Sequence, residues 1–146
     1  MKEISYRLRE SIIDALSPLI YEGEVIPIFD VRVNPRTVLA NIQNAECYVV
    51  INSQNSQETT NDKCQIRLDS NINFDVVTKY TQGYGGSLLS EKIGELIMQK
   101  INRSLIIADF DLLYVQMNFS TNLIENGISL DLYRKILSYR FDVFER

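Results

Sequence analysis

At 146 residues, with a net charge of −4 and a pI near 4.9, the chain is long enough to bury a core and too acidic to grip nucleic acid over its whole surface. Its 45% hydrophobic and 23% charged residues are ordinary for a globular protein, and no apolar run approaches the roughly 20 residues of a membrane-spanning helix. Histidine is absent, which removes Ser-His-Asp and Cys-His nucleophile systems and histidine-ligated zinc sites.

The chain starts with MKEISYRLRESIIDALSPLI, which is charged and amphipathic, unlike a secretory signal. Leu8, Ile12, Ala15, Leu16 and Leu19 recur at three- and four-residue steps and predict a helix over residues 4–16. Ser17-Pro18 stops it, because the residue before a proline is pushed out of helical angles. Residues 24–33 alternate Val25, Pro27, Phe29, Val31 and Val33 with Ile26, Ile28, Asp30 and Arg32, a strand pattern with Pro27 marking an edge or an irregular start.

ECYVVIN (residues 46–52) is apolar enough for a buried central strand. It opens onto SQNSQETTND (residues 53–62), which has no apolar side chain and reads as a solvated hairpin loop, or as an arm that orders against a partner. Strands are predicted over residues 63–69 and 72–80, separated by Ser70-Asn71. Cys47 and Cys64 form no CxxC pattern and read as free thiols; a disulfide would require their strands to be neighbours.

Leu89, Ile93, Leu96, Ile97 and Ile101 form the stripe of a second helix over residues 87–101, with Ser87 as N-cap and Lys100 and Arg103 suiting its C-terminal end. Residues 110–119 follow as a strand and residues 120–127 as a turn region. Residues 129–146 form a terminal strand, with Tyr133, Leu137, Tyr139, Phe141 and Val143 on one face and Arg134, Ser138, Arg140 and Asp142 on the other. The order is α-β-β-β-β-α-β-β: an α+β fold in one domain over residues 1–146, with two main helices on an antiparallel or mixed sheet and a polar arm at 53–62.

Three patterns offer chemistry. QGYGGS (residues 82–87) leads into a helix N-terminus, where anions bind, but Lys92 is too far on for a phosphate-binding lysine and Leu88 breaks GxGxxG. The ordinary use of these glycines is a tight reversal; a ligand-binding module built on residues 83–86 is the functional one. Asp109 and Asp111, with Glu91 or Glu95, would suit Mg²⁺ in a small phosphoesterase or nuclease, although alternate acids at a strand entrance more often face solvent. Tyr48, Tyr80, Tyr84, Tyr114, Tyr133 and Tyr139 lie in or beside strands with few basic companions, which favours packing over nucleic-acid stacking.

YVVI (residues 48–51) followed by a polar arm, then INFDVVTKY (72–80) leading into GGSLLSEKIGELIMQKI (85–101), and the closing DLYRKILSYRFDVFER (131–146) together resemble the tail terminator, or tail completion, proteins of tailed bacteriophages. Closely related neck and connector rings use comparable subunits. The chain departs from the family's pattern in the arm at 53–62 and in residues 34–45. The resemblance implies a non-enzymatic virion protein without cofactor or metal, assembled in the host cytoplasm. It would form a ring of six subunits, or a higher multiple, that joins the tail tube to the head connector. DNA would cross its channel without specific binding. Gln54, Asn55, Glu58 and Asn61 on the polar arm are the candidate subunit contacts.

Overall fold

The computed structural model describes residues 1–62 and 65–146. Its element order is α1 (Ser5–Leu16), β1 (Leu19–Tyr21), β2 (Glu24–Ile26), β3 (Ile28–Asp30), β4 (Ala40–Ile42), β5 (Ala45–Asp62), β6 (Gln65–Thr81), α2 (Leu88–Lys100), β7 (Phe110–Asn126) and β8 (Leu130–Glu145). The fold is α+β, with the helix, the strands, the second helix and the closing hairpin in the expected succession.

Both helices lay their apolar stripes on one face of the main sheet. Leu8, Ile12 and Leu16 of α1 and Leu89, Ile93 and Ile97 of α2 join Val49, Ile51, Phe74, Val76, Leu137, Phe141 and Val143 in one core. Burying a side chain of this size contributes about 2–3 kcal/mol, so the alternating residues of β6 and β8 hold the helices in place. As expected at Ser17, the backbone turns extended (ψ 132°) and α1 ends at Leu16. The spacing correctly places α2, although the Ser87 side chain makes no capping bond to it.

The sheet runs β3-β5-β6-β8-β7, with β4 also on β5. β3 is parallel to β5 and every other pairing is antiparallel. Pro27 divides the strand expected over 24–33: β2 pairs with β1 and β3 with β5, while the Pro27 carbonyl accepts from the Val49 N–H at 3.0 Å. Residues 34–45 contain β4 and a two-residue hairpin turn, Gln43-Asn44, with φ of 52° and 64°.

The polar stretch at 53–62 is no loop. It continues β5 and pairs with residues 65–72 of β6. Backbone hydrogen bonds do not require apolar side chains, and cross-strand polar pairs take their place here. Gln54 Nε2 donates to Ser70 Oγ at 3.0 Å, and Asn71 Nδ2 donates to Asn55 Oδ1 at 3.1 Å. Ser70 and Asn71 accordingly lie mid-strand, paired to β5 on one side and β8 on the other. Of the turn expected over 120–127, residues 120–126 are likewise strand, and the reversal begins only at Gly127, whose N–H donates to the Leu130 carbonyl at 2.8 Å.

Candidate functional site

Four long strands, β5, β6, β8 and β7, lie side by side with alternating direction. Their outer margins differ in what covers them. The margin of β5 is covered by β4 over residues 45–47 and by β3 over residues 49–51; beyond Ile51 no strand of the described chain lies against it. Among the described residues no strand lies against the outer margin of β7.

β7 is unusually apolar for an edge. Natural edge strands are normally guarded by lysines, prolines or inward charges. β7 has no charge and no proline between Asp111 and Glu125. Tyr114, Met117, Phe119, Leu123 and Ile124 are 44, 41, 51, 41 and 57% exposed. Phe119 and Leu123 stand opposite Ser138 and Arg134 on the helix-free face, whereas Ile124 stands opposite Tyr133, which packs on the core. Register shifts bend the strand between Leu112 and Tyr114 and between Met117 and Phe119, but residues 119–126 pair with β8 in unbroken register. That half of β7 therefore presents a regular row of outward amides with apolar side chains on both faces.

The helix-free face is an array of ion pairs. Arg134 donates to both oxygens of buried Asp75 and to Glu125, and Asp75 above all holds the guanidinium pKa well above its ordinary value. Arg67 Nε donates to buried Asp142 at 2.9 Å, and Arg140 Nη2 lies 3.1 Å from buried Asp69. Lys79 sits over the Tyr48 ring, 5.1 Å from its centroid. Each cation of β6 and β8 on this face is thus already engaged, which leaves little to hold a phosphate. Phe29, Tyr48, Val50 and Val77 form a second, smaller apolar cluster at the β3 side of the same face.

Of the candidate contacts, Gln54 is bound by Arg9 and bonds Ser70; Asn55 is exposed and bonded to Asn71. Glu58 is exposed opposite Leu68, and Asn61 stands opposite Ile66. All four lie on the uncovered half of β5, as strand residues rather than loop residues. Cys47 is buried opposite Thr78, with burial pushing its thiol up to about 11; Cys64 falls outside the described residues.

The acidic constellation does not assemble. Asp109 is held by Arg7 at 3.2 Å and Lys2 at 3.6 Å, Asp111 by Arg146 at 3.5 Å, and Glu91 accepts from Asn122 at 2.8 Å. No group of three potential metal ligands comes together among the described residues. In the glycine loop, the Gly83 N–H donates to the Asp131 carboxylate at 2.9 Å, so the chain supplies its own anion there. A cavity of about 720 Å³ opens beside this loop, lined by Tyr80, Tyr84, Leu88, Gln43 and neighbours without a charged side chain, a poor match for a phosphate.

Sequence reasoning missed Arg9, which seals part of the β5 margin, and the exposed apolar residues of β7. The signal for the latter was present: an uncharged stretch from 112 to 124 that alternation alone assigned to strand and then turn.

No family model matches the chain, and no curated protein matches it. A chain from the virion of a native gene transfer agent (GTA) particle is similar in structure, with a TM-score of 0.55 and 10% sequence identity. The match covers 95% of this chain and 91% of that one. At this identity the likeness is one of fold.

Proposed function

We propose that the protein is a non-enzymatic structural subunit of a virion that closes with its own copies into a ring at the end of a tail tube or in the neck. The observation that carries this reading is that one sheet has two unlike margins, the unguarded apolar one of β7 and that of β5, uncovered beyond Ile51 among the described residues. Two different margins on one subunit make a heterologous contact, which repeats around an axis until it closes. The strand directions fit such a repeat. β5, β6, β8 and β7 alternate, so a neighbour's β5 set against β7 continues the antiparallel order. The sequence resemblance to tail terminators and the fold shared with a virion chain support the same setting.

In such a ring the helices would stand outside and the helix-free face would turn toward the channel. The paired charges on that face suit DNA that must slide through without being held. Asp109 and Asp111 are spent on ion pairs and Glu91 on the Asn122 amide, which favours a mechanical role.

Electron microscopy and native mass measurement of the purified protein test this, alone and mixed with tail tubes or connectors. Rings, or caps on either partner, are expected, and the partner that is capped separates a tail terminator from a neck adaptor. A strict monomer at high concentration that ignores both partners refutes the reading.

A further inference from the structure

The uncovered margin of β5 does not begin raggedly where β3 ends. The Val31 N–H donates to the Ile51 carbonyl at 2.9 Å, the last backbone bond on that side among the described residues. Immediately beyond it, Arg9 reaches from α1. Its Nη1 donates to the same Ile51 carbonyl at 3.2 Å and its Nη2 to the Asn52 carbonyl at 2.6 Å. Nε donates to Gln54 Oε1 at 2.9 Å, and Nη1 also pairs with Asp30 Oδ1 at the end of β3. The side chain is only 15% exposed.

A guanidinium carries five N–H donors in a rigid fork, so one side chain satisfies two adjacent carbonyls, an amide and a carboxylate together. An ammonium has no such geometry. Arg9 therefore fills the margin just past the end of β3: it shares the Ile51 carbonyl with the Val31 N–H and takes the Asn52 carbonyl, so an incoming strand meets a guanidinium there.

Resting on the ring reading above, we infer that Arg9 is the register stop of the joint between copies. It confines the neighbour's β7 to the β5 margin beyond Asn52 and so selects one alignment. Sheet register otherwise slips easily in two-residue steps along a polar strand, because a step of two keeps every side chain on its own face. The β5 margin is such a strand: SQNSQETTND offers no apolar side chain to fix an alignment. A fixed stop is needed here more than at an apolar margin.

The test is cross-linking in assembled protein. Asn55→Cys on the helix-free face is combined, one at a time, with Phe119→Cys, Thr121→Cys, Leu123→Cys or Glu125→Cys on the same face of β7, in a Cys64→Ser background. With Arg9 present, one of the four combinations should link between subunits far more than the rest, and ring size should be single. In Arg9→Ala, at least two combinations should link comparably and native mass should spread over several ring sizes or open chains. Arg9→Lys should behave like Arg9→Ala.

Should Arg9→Ala lose its far-ultraviolet circular dichroism, Asp30→Ala, which loosens the guanidinium while leaving α1 intact, carries the comparison. A single unshifted cross-link and unchanged ring size in the folded variants overturn the register stop while leaving the ring standing. Absence of any cross-link in assembled protein that retains Arg9 overturns the β7-to-β5 joint and the register stop with it, while the ring itself stands or falls on native mass and microscopy.

Discussion

Arg134 Nε lies 3.2 and 3.1 Å from the two carboxylate oxygens of Asp75, tying β8 to β6 across the helix-free face. Asp75 is buried, whereas Glu125, the second partner of Arg134, is half exposed. The two carboxylates should therefore differ in weight. Arg134→Met strands a buried charge and is expected to cost about 3 kcal/mol. Glu125→Ala removes an exposed partner and should cost less than about 1 kcal/mol. Urea denaturation of both variants checks the order; equal losses would mean that Asp75 is solvated.

Gly85 has φ of +86°, and a Cβ there would lie 2.4 Å from Tyr80 ring atoms. Those atoms include Cγ, at the base of a ring that packs edge-on against Tyr133, so the ring has no easy retreat. Gly85→Ala should lower stability by about 2 kcal/mol through left-handed strain and displacement of Tyr80. Gly86→Ala, with nothing within 4 Å, serves as the control and should change little. The melting temperatures of the pair decide it.

Phe119→Asp with Leu123→Asp places two carboxylates on the exposed margin of β7. Both side chains are accessible, so the stability change should stay within about 0.5 kcal/mol per site. Ring formation should nevertheless be lost, seen by native mass and light scattering. On the opposite margin, removal of residues 53–62 would take away more than half of β5 and its pairing with β6, so point changes such as Glu58→Arg are the proper probe there.

Alkaline pH should loosen the fold. Burial pushes the Cys47 thiol from 9.0 up to about 11, and burial likewise raises the phenols of Tyr48, Tyr80 and Tyr139. The unfolded chain gives up these protons first, so stability is full below pH 9 and falls as pH rises toward 11. Cys47 alone accounts for about 2 kcal/mol of that fall. Thermal melts from pH 8 to 11 should show the decline, and Cys47→Ala should make it shallower.

The apolar periodicities of α1, α2 and β8 were legible because they report burial against one face, and burial is local in its pattern: three- and four-residue steps for helices, two for the strand. Those elements, with the interior residues Ile93, Ile97, Leu137, Phe141 and Val143, followed from composition along the chain. The polar half of β5, the middle of β6 at Ser70-Asn71 and the far half of β7 did not. Their strand state rests on backbone bonds to partners distant in sequence: Asn71 with Asn55 and Arg140, Asn122 with Lys135. A stretch rich in Ser, Asn and Thr reads as loop until a neighbouring strand supplies those bonds. The two sheet margins are likewise a property of strand order alone. Whether Phe119 is core or surface, and whether Arg9 is an idle helix cation or the seal on Ile51 and Asn52, is settled by which strand comes to lie beside which.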